Sequence, residues 1–202
     1  MITMEAYLRD PCGSLSVPYW KWKALTVPEG MKILHEREYK PLEGYTDTAY
    51  FRLYHDLKNI GAVSLPGVEI RTLTAGDFET AAAILSRCYG MAFDRARVEA
   101  MTRSNAYAPE LWLMALVDGE PAGCVIAEED RQTGEGSLEW VQVLPEFRRR
   151  GIGRALVLAA LGRMKGRFAT VSGRVDNETE PEKLYRACGF TGSDIWHILT
   201  RK

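Results

Sequence analysis

The chain has 202 residues, with 26 basic and 27 acidic side chains and 46% hydrophobic content. At about 150 residues per domain this makes one to two domains, with enough chain to bury a core without disulfides or metal. A net charge of −1 argues against a generally basic nucleic-acid binder, and the lack of any apolar run of about 18 residues argues against a transmembrane helix.

The opening Met1-Ile2-Thr3-Met4-Glu5 lacks the basic-then-apolar pattern of a signal peptide. Cys12, Cys88, Cys124 and Cys188 are scattered and form no CxxC pair, so they read as reduced thiols of a cytoplasmic protein. His35, His55 and His197 have no second ligand at metal spacing, and no metal site is expected.

Composition changes near Leu65-Pro66-Gly67. This divides the chain into a charge-balanced, proline- and aromatic-rich extension, 1–66, and a domain, 67–202. The extension carries Pro18-Tyr19-Trp20-Lys21-Trp22-Lys23, read as packing onto the domain rather than as a nucleic-acid patch. Residues 46–60 read as a helix: Thr46 can cap, Asp47 suits a first turn, and Tyr50, Leu53, Tyr54 and Leu57 recur at spacings of three and four. The rest of the extension looks irregular.

From Val68 the pattern alternates. Residues 68–73 alternate apolar and polar, as a half-buried strand does. Asp77 caps a helix reaching Cys88, and a second helix covers 94–102. Apolar runs over 111–117 and 121–127 flank Asp118-Gly119, a strong hairpin signal. Gly134 to Gly136 makes a turn, 138–143 a strand, 151–164 a helix and 168–175 a strand. A short helix, 181–188, ends at Gly189, and 195–199 closes the chain as a strand. The order β, α, α, β, β, β, α, β, α, β describes an α/β layer with a mixed sheet.

The chemistry concentrates in the strand–loop–helix over 138–156. Arg148, Arg149 and Arg150 stand directly before Gly151 and Gly153. Glycine permits positive φ and close backbone approach, and a helix start offers unpaired N–H groups with about half a positive charge. Together they form an anion site for a phosphate or pyrophosphate, with the arginines adding bidentate donors. The P-loop pattern is absent. A dinucleotide fingerprint fails because Leu156 stands where the third glycine belongs.

This segment, Val141-Gln142-Val143-Leu144-Pro145-Glu146-Phe147-Arg148-Arg149-Arg150-Gly151-Ile152-Gly153, resembles the acetyl-coenzyme A motif of the GNAT N-acetyltransferases, whose core is Q/R-x-x-G-x-G/A. Asn177, then Leu184-Tyr185, then Gly189-Phe190 resemble the family's distal signature, which implies that Asn177 binds the coenzyme, although it lies one residue further from Tyr185 than is usual. The resemblance implies a mixed, mostly antiparallel sheet flanked by helices, over about 68–202. It also implies acetyl-coenzyme A as co-substrate. The backbone of Val141 and Val143 would pair with the pantetheine arm, and the N–H groups from Arg149 through Ile152 and Gly153 to Arg154 would hold the pyrophosphate.

The implied reaction is acyl transfer from a thioester to a primary amine of a small molecule or peptide, by direct attack in a ternary complex. An alkylammonium, with a pKa of about 10, must first lose a proton, and a carboxylate can serve as base. Glu139 is the first choice; strand alternation predicts that it shares a face with Val141 and Val143. Glu128 and Glu129 are weaker choices, read as lining a solvated turn. Tyr185 matches the family's general acid for the leaving thiolate, and the Val143 N–H would stabilise the oxyanion. The alternative is a non-catalytic module that senses acyl-coenzyme A. Neither nucleic acid nor membrane is expected as a partner, and a homodimer is left open.

Overall fold

The computed structural model describes residues 3–14 and 27–202. The aromatic stretch at 18–23 lies outside them. The helices are α1 (Met4–Arg9), α2 (Phe78–Tyr89), α3 (Arg95–Met101), α4 (Ile152–Arg163) and α5 (Pro181–Ala187). The strands are β1 (Met31–His35), β2 (Tyr45–His55), β3 (Val68–Thr72), β4 (Leu113–Val117), β5 (Glu120–Asp130), β6 (Glu135–Val143), β7 (Phe168–Arg174) and β8 (Thr191–Arg201). They form an eight-stranded, mostly antiparallel sheet in the order β1-β8-β2-β7-β6-β5-β4-β3. From Val68 on, the element order is the one that periodicity predicts. The chain divides into two compact units, Met1–His55 with Thr170–Lys202, and Asp56–Ala169.

In the second unit, β3 to β6 form an antiparallel meander. The Asp118-Gly119 turn between β4 and β5 has positive φ at both residues, 50° and 87°, the geometry that matches strand twist in a two-residue hairpin. Helices α2 and α3 bury Phe78, Leu85 and Val98 in one cluster with Trp112, just before β4, and Met114, Cys124 and Ile126 of the meander. The alternate residues Leu113, Ala115, Val125 and Ala127 are equally buried. Helix α4, apolar on most of its circumference, contacts β3 to β6 and so covers that other face.

Carboxylates brace the turn before α2 and the start of α3; Asp77, expected to cap α2, stands at its N-cap position but directs its side chain back to Thr74 and Arg71 instead. The 3-10 turn Ala75–Asp77 leads into α2, and the Asp77 carboxylate accepts from the Thr74 N–H at 2.8 Å and from both Arg71 Nη atoms at 2.9 and 2.7 Å. Asp94 accepts from the Arg97 N–H at 2.8 Å and caps α3.

In the first unit, β8 lies between β1 and β2 and is antiparallel to both. Here the expected helix over 46–60 is corrected: β2 runs from Tyr45 to His55, and its registered partners run from Arg201 back to Thr191. The apolar residues at helical spacing belong to a stretch rich in Thr, Tyr and Phe, which favour a pleated surface, and pairing with β8 decides the outcome. The extension is thus regular at β1 and β2.

His197 of β8 has Nδ1 2.8 Å from Asp47 and Nε2 against Glu36, while the Tyr39 ring stacks on it at 3.6 Å. Only the imidazolium donates from both nitrogens. Burial disfavours that charge, but the two carboxylates outweigh it and raise the pKa. Arg52 of β2 is buried, with its guanidinium donating to the Tyr7 hydroxyl, the Pro11 carbonyl, Ser172 and Thr170.

Candidate active site

Strand β6 leads into the 3-10 turn Pro145–Phe147, then three arginines, then α4. Arg148 is extended and its Nε donates to the Val143 carbonyl at 2.9 Å. Arg149 and Gly151 both have positive φ, 62° and 82°. Gly151 is the N-cap of α4 and contributes no capping side chain. The first intrahelical bond runs from the Ala155 N–H to the Gly151 carbonyl at 3.0 Å. The N–H groups of Ile152, Gly153 and Arg154 therefore lie before the helical ladder begins and point out of the helix start. The Ile152 side chain is buried and anchors this turn, while Arg149, Arg150 and Arg154 are exposed. Arg150 lies 5.6 Å above the Phe147 ring. Left-handed glycine, oriented donors and flanking cations together suit a pyrophosphate.

The backbone of Val141 and Val143 faces away from β5. The Leu144 N–H donates to Ala122 of β5 at 2.9 Å. Successive residues alternate direction, so the Val143 N–H and carbonyl, and those of Val141, point away from β5. The Val143 carbonyl accepts from Arg148 and, at 3.5 Å, from the Cys88 thiol. Burial pushes the Cys88 thiol up, against the pull of Arg148, and pushes Cys124 up to about 12. Both are kept as thiols.

Glu139 lies where the register of β6 shifts: Ile126 pairs with Trp140, but Ala127 pairs with Leu138. The ladder skips Glu139, a one-residue bulge. Directly opposed residues share a face. Glu128 is two residues from Ile126 and pairs with Ser137, whose hydroxyl donates to the Glu139 carboxylate. Glu139 therefore shares the α2/α3 face with Ser137, Ile126 and Trp140. Val141 pairs with Val125, so its side chain and that of Val143 point to the other face. The expected common face of Glu139, Val141 and Val143 is corrected, because the bulge breaks the alternation on which it rests.

The weaker carboxylates are also relocated. Glu128 is 8% exposed within β5 rather than on a solvated turn. Glu129 Oε2 accepts from the Lys165 and Gly166 N–H groups at 2.6 and 3.1 Å, which closes the chain after α4.

Tyr185 and Asn177 belong to the first unit. Tyr185, on α5, is 7% exposed and packs with Phe51 and Phe190 at ring separations of 6.2 and 5.8 Å. Pro181 starts this helix. The Asn177 side chain accepts from the Thr179 N–H at 2.9 Å and hydroxyl at 2.7 Å, so it braces the turn before α5. Sequence reasoning passed over the aromatic wall beside Trp140. Tyr89 and Phe93 meet its ring edge-on at 4.9 and 5.2 Å. Aromatic residues clustered around 89–93 were the available signal.

A family model described as the acetyltransferase (GNAT) family matches residues 78–190. Among solved structures, the chain is similar to a GCN5-related N-acetyltransferase from Sphaerobacter thermophilus, with 27% identity, a TM-score of 0.67 and coverage of 79% of this chain and 53% of that one. The chain thus spans about half the length of that relative. The fold is also like that of Ard1 from Thermoplasma volcanium, with 22% identity and a TM-score of 0.54, covering 67% of this chain and 97% of that one. It is likewise similar to the ribosomal-protein-S18-alanine N-acetyltransferase from Escherichia coli, with 19% identity, a TM-score of 0.52 and coverage of 66% and 93%. Comparison with the curated proteins gives no match.

Proposed function

The chain belongs to the GNAT acetyltransferase family, and from that premise we propose that it moves an acetyl group from acetyl-coenzyme A to a primary amine by direct attack in a ternary complex. The observation that carries this reading is the start of α4, where Gly151 in the left-handed region leaves the N–H groups of Ile152, Gly153 and Arg154 outside the helical ladder. The pyrophosphate lies against these donors with Arg148, Arg149 and Arg150 beside it. The pantetheine arm runs along the backbone of Val141 and Val143. The Val143 N–H points away from β5 and stabilises the oxyanion as the amine attacks.

Glu139 takes the proton from the ammonium, directly or through a water, and Tyr185 protonates the departing thiolate. Asn177 contributes by shaping the turn that leads to Tyr185. Residues 1–66 act as an extension of the catalytic domain 67–202; the pairing of β1 and β2 with β8 supports this. No disulfide joins Cys12, Cys88, Cys124 or Cys188, which accords with a reducing cytoplasm. Among the described residues, no helix is long and apolar enough to cross a membrane.

The test is thermal unfolding with and without coenzyme A and acetyl-coenzyme A, followed by thiol release across a panel of amines. Both ligands raise the melting temperature, and some amine releases thiol. Tyr185→Phe lowers kcat by about 100-fold, the scale of one general acid, while coenzyme A affinity is kept. No thermal shift with either ligand refutes the reading. Binding without thiol release from any amine leaves a sensing module instead.

A further inference from the structure

The bulge in β6 determines which side of the sheet an acceptor must approach. Glu139 lies on the α2/α3 face, with Trp140 next to it on the same face. Trp140 is partly buried, and its ring forms the base of a wall whose sides are Tyr89 and Phe93. Tyr89 and Met91 are large apolar residues that stay exposed, at 46% and 47%. The segment that carries them is nevertheless held firmly. Gly90 ends α2 in the left-handed region, and Ser86 both accepts from the Phe93 N–H at 2.9 Å and donates to the Phe93 carbonyl at 3.1 Å. Two exposed apolar side chains on a fixed turn, beside a half-buried indole, make a preformed apolar surface.

Charge narrows what this surface accepts. The Arg97 guanidinium lies 4.0 Å over the Phe93 ring, and Arg87 pairs with Glu146 at 3.0 Å at the end of α2. A second positive charge on the acceptor would meet Arg97 on this wall. The one ammonium that reacts is drawn to the Glu139 carboxylate on the same face.

We infer that the acceptor is an apolar monoamine, whose alkyl or aryl group lies against Trp140 and Tyr89 while its amine reaches Glu139. Trp140 and Tyr89 are thus specificity-determining residues. The inference rests on the acetyltransferase reading and adds the class of acceptor to it.

The experiment compares 2-phenylethylamine, ethylamine and spermidine as acceptors with acetyl-coenzyme A, in the full chain and in the Trp140→Ala, Trp140→Phe and Tyr89→Ala variants. An apolar flank in a fitted pocket gives discrimination on the scale of 10-fold or more. The expected result is a kcat/KM for 2-phenylethylamine about 10-fold above that for ethylamine, with spermidine the poorest. The ratio collapses to within about 3-fold in Trp140→Ala, is largely kept in Trp140→Phe, and falls in part in the exposed-site variant Tyr89→Ala. Binding is read separately by saturation-transfer NMR from 2-phenylethylamine in the presence of coenzyme A, a signal that Trp140→Ala should lose. If coenzyme A binds but ethylamine or spermidine matches 2-phenylethylamine, or Trp140→Ala keeps the preference and the NMR signal, the inference is overturned and the acetyltransferase reading survives. If coenzyme A itself fails to bind, the reading falls first and the inference with it.

Discussion

Helices α3 and α4 begin in opposite ways. At α3 the chain supplies its own anion: the Asp94 carboxylate caps the Arg97 N–H. Just before α2, the Asp77 carboxylate closes the preceding 3-10 turn on the Thr74 N–H while held by Arg71, and it makes no side-chain cap on α2 itself. At α4 there is no side-chain cap, because the residue in that place is Gly151 at φ 82°. Each helix start has the same orphan donors. Where the chain fills them, the helix start is stabilised from within; where a left-handed glycine stands beside arginines instead, the donors stay open to an anion. This contrast separates the parts of the second unit that hold the fold from those that we propose hold the co-substrate.

The contrast breaks most sharply if α4 is given the cap that α3 has. Gly151→Asp puts a carboxylate on the N–H groups of α4 and repels a pyrophosphate. Isothermal titration should show coenzyme A affinity reduced by about 100-fold or more, the scale of lost charge-assisted bonds; a loss under about 3-fold would contradict the assignment. The converse change touches stability alone. Asp77→Asn should cost about 2 kcal/mol in urea unfolding at neutral pH, the scale of hydrogen bonds to a charged group, with coenzyme A affinity unchanged.

Arg71, aided by the Thr74 N–H and hydroxyl, holds the Asp77 carboxyl well below the usual carboxylate range, against the effect of burial. Its folded-state pKa is therefore depressed. The contribution is complete above the unfolded value of about 3.9 and fades as pH falls toward the folded one. The gap between wild type and Asp77→Asn should narrow steadily below about pH 4.

Asp94→Ala is a smaller change of the same kind, about 1 kcal/mol for a lost cap, again without effect on coenzyme A. The smallest expected effect extends the rule to a side-chain cation in the first unit. His197, held by Glu36 and Asp47, has a raised folded pKa. Its contribution is complete below the unfolded value of about 6.5 and is lost as pH rises through the folded one. His197→Asn should flatten the alkaline limb of a melting-temperature profile; an unchanged limb would show that the pairing contributes nothing.

Much of the fold is legible in the sequence because local signals and tertiary packing agree. The apolar runs on either side of Asp118-Gly119 become β4 and β5, and the helix expected over 94–102 is α3. The reading fails at 46–60, where Tyr50, Leu53, Tyr54 and Leu57 have helical spacing in a stretch that pairs with β8. Periodicity cannot see a partner strand some 150 residues away, and strand preference depends on that partner. The site divides in the same way. Gly151 and the arginines stand in contiguous sequence, so the anion site is visible as a motif. The face of Glu139 is not, because it depends on a bulge whose existence is set by pairing with β5. The position of Asn177 can be read from sequence, but its bracing of Thr179 follows only from the turn.

The skipped position in β6 has an evolutionary consequence. Ile126 and Ala127 already pair around Glu139 with Trp140 and Leu138, so the ladder asks nothing of the side chain at 139. A lineage can exchange the residue there without testing the sheet, and so can try new chemistry at little risk to folding. Gly151 has no such latitude, since its backbone conformation excludes most replacements. Within the strand–loop–helix that runs from β6 into α4, one position is open to variation and another is nearly closed. Variation at 139 is therefore easier than variation at 151.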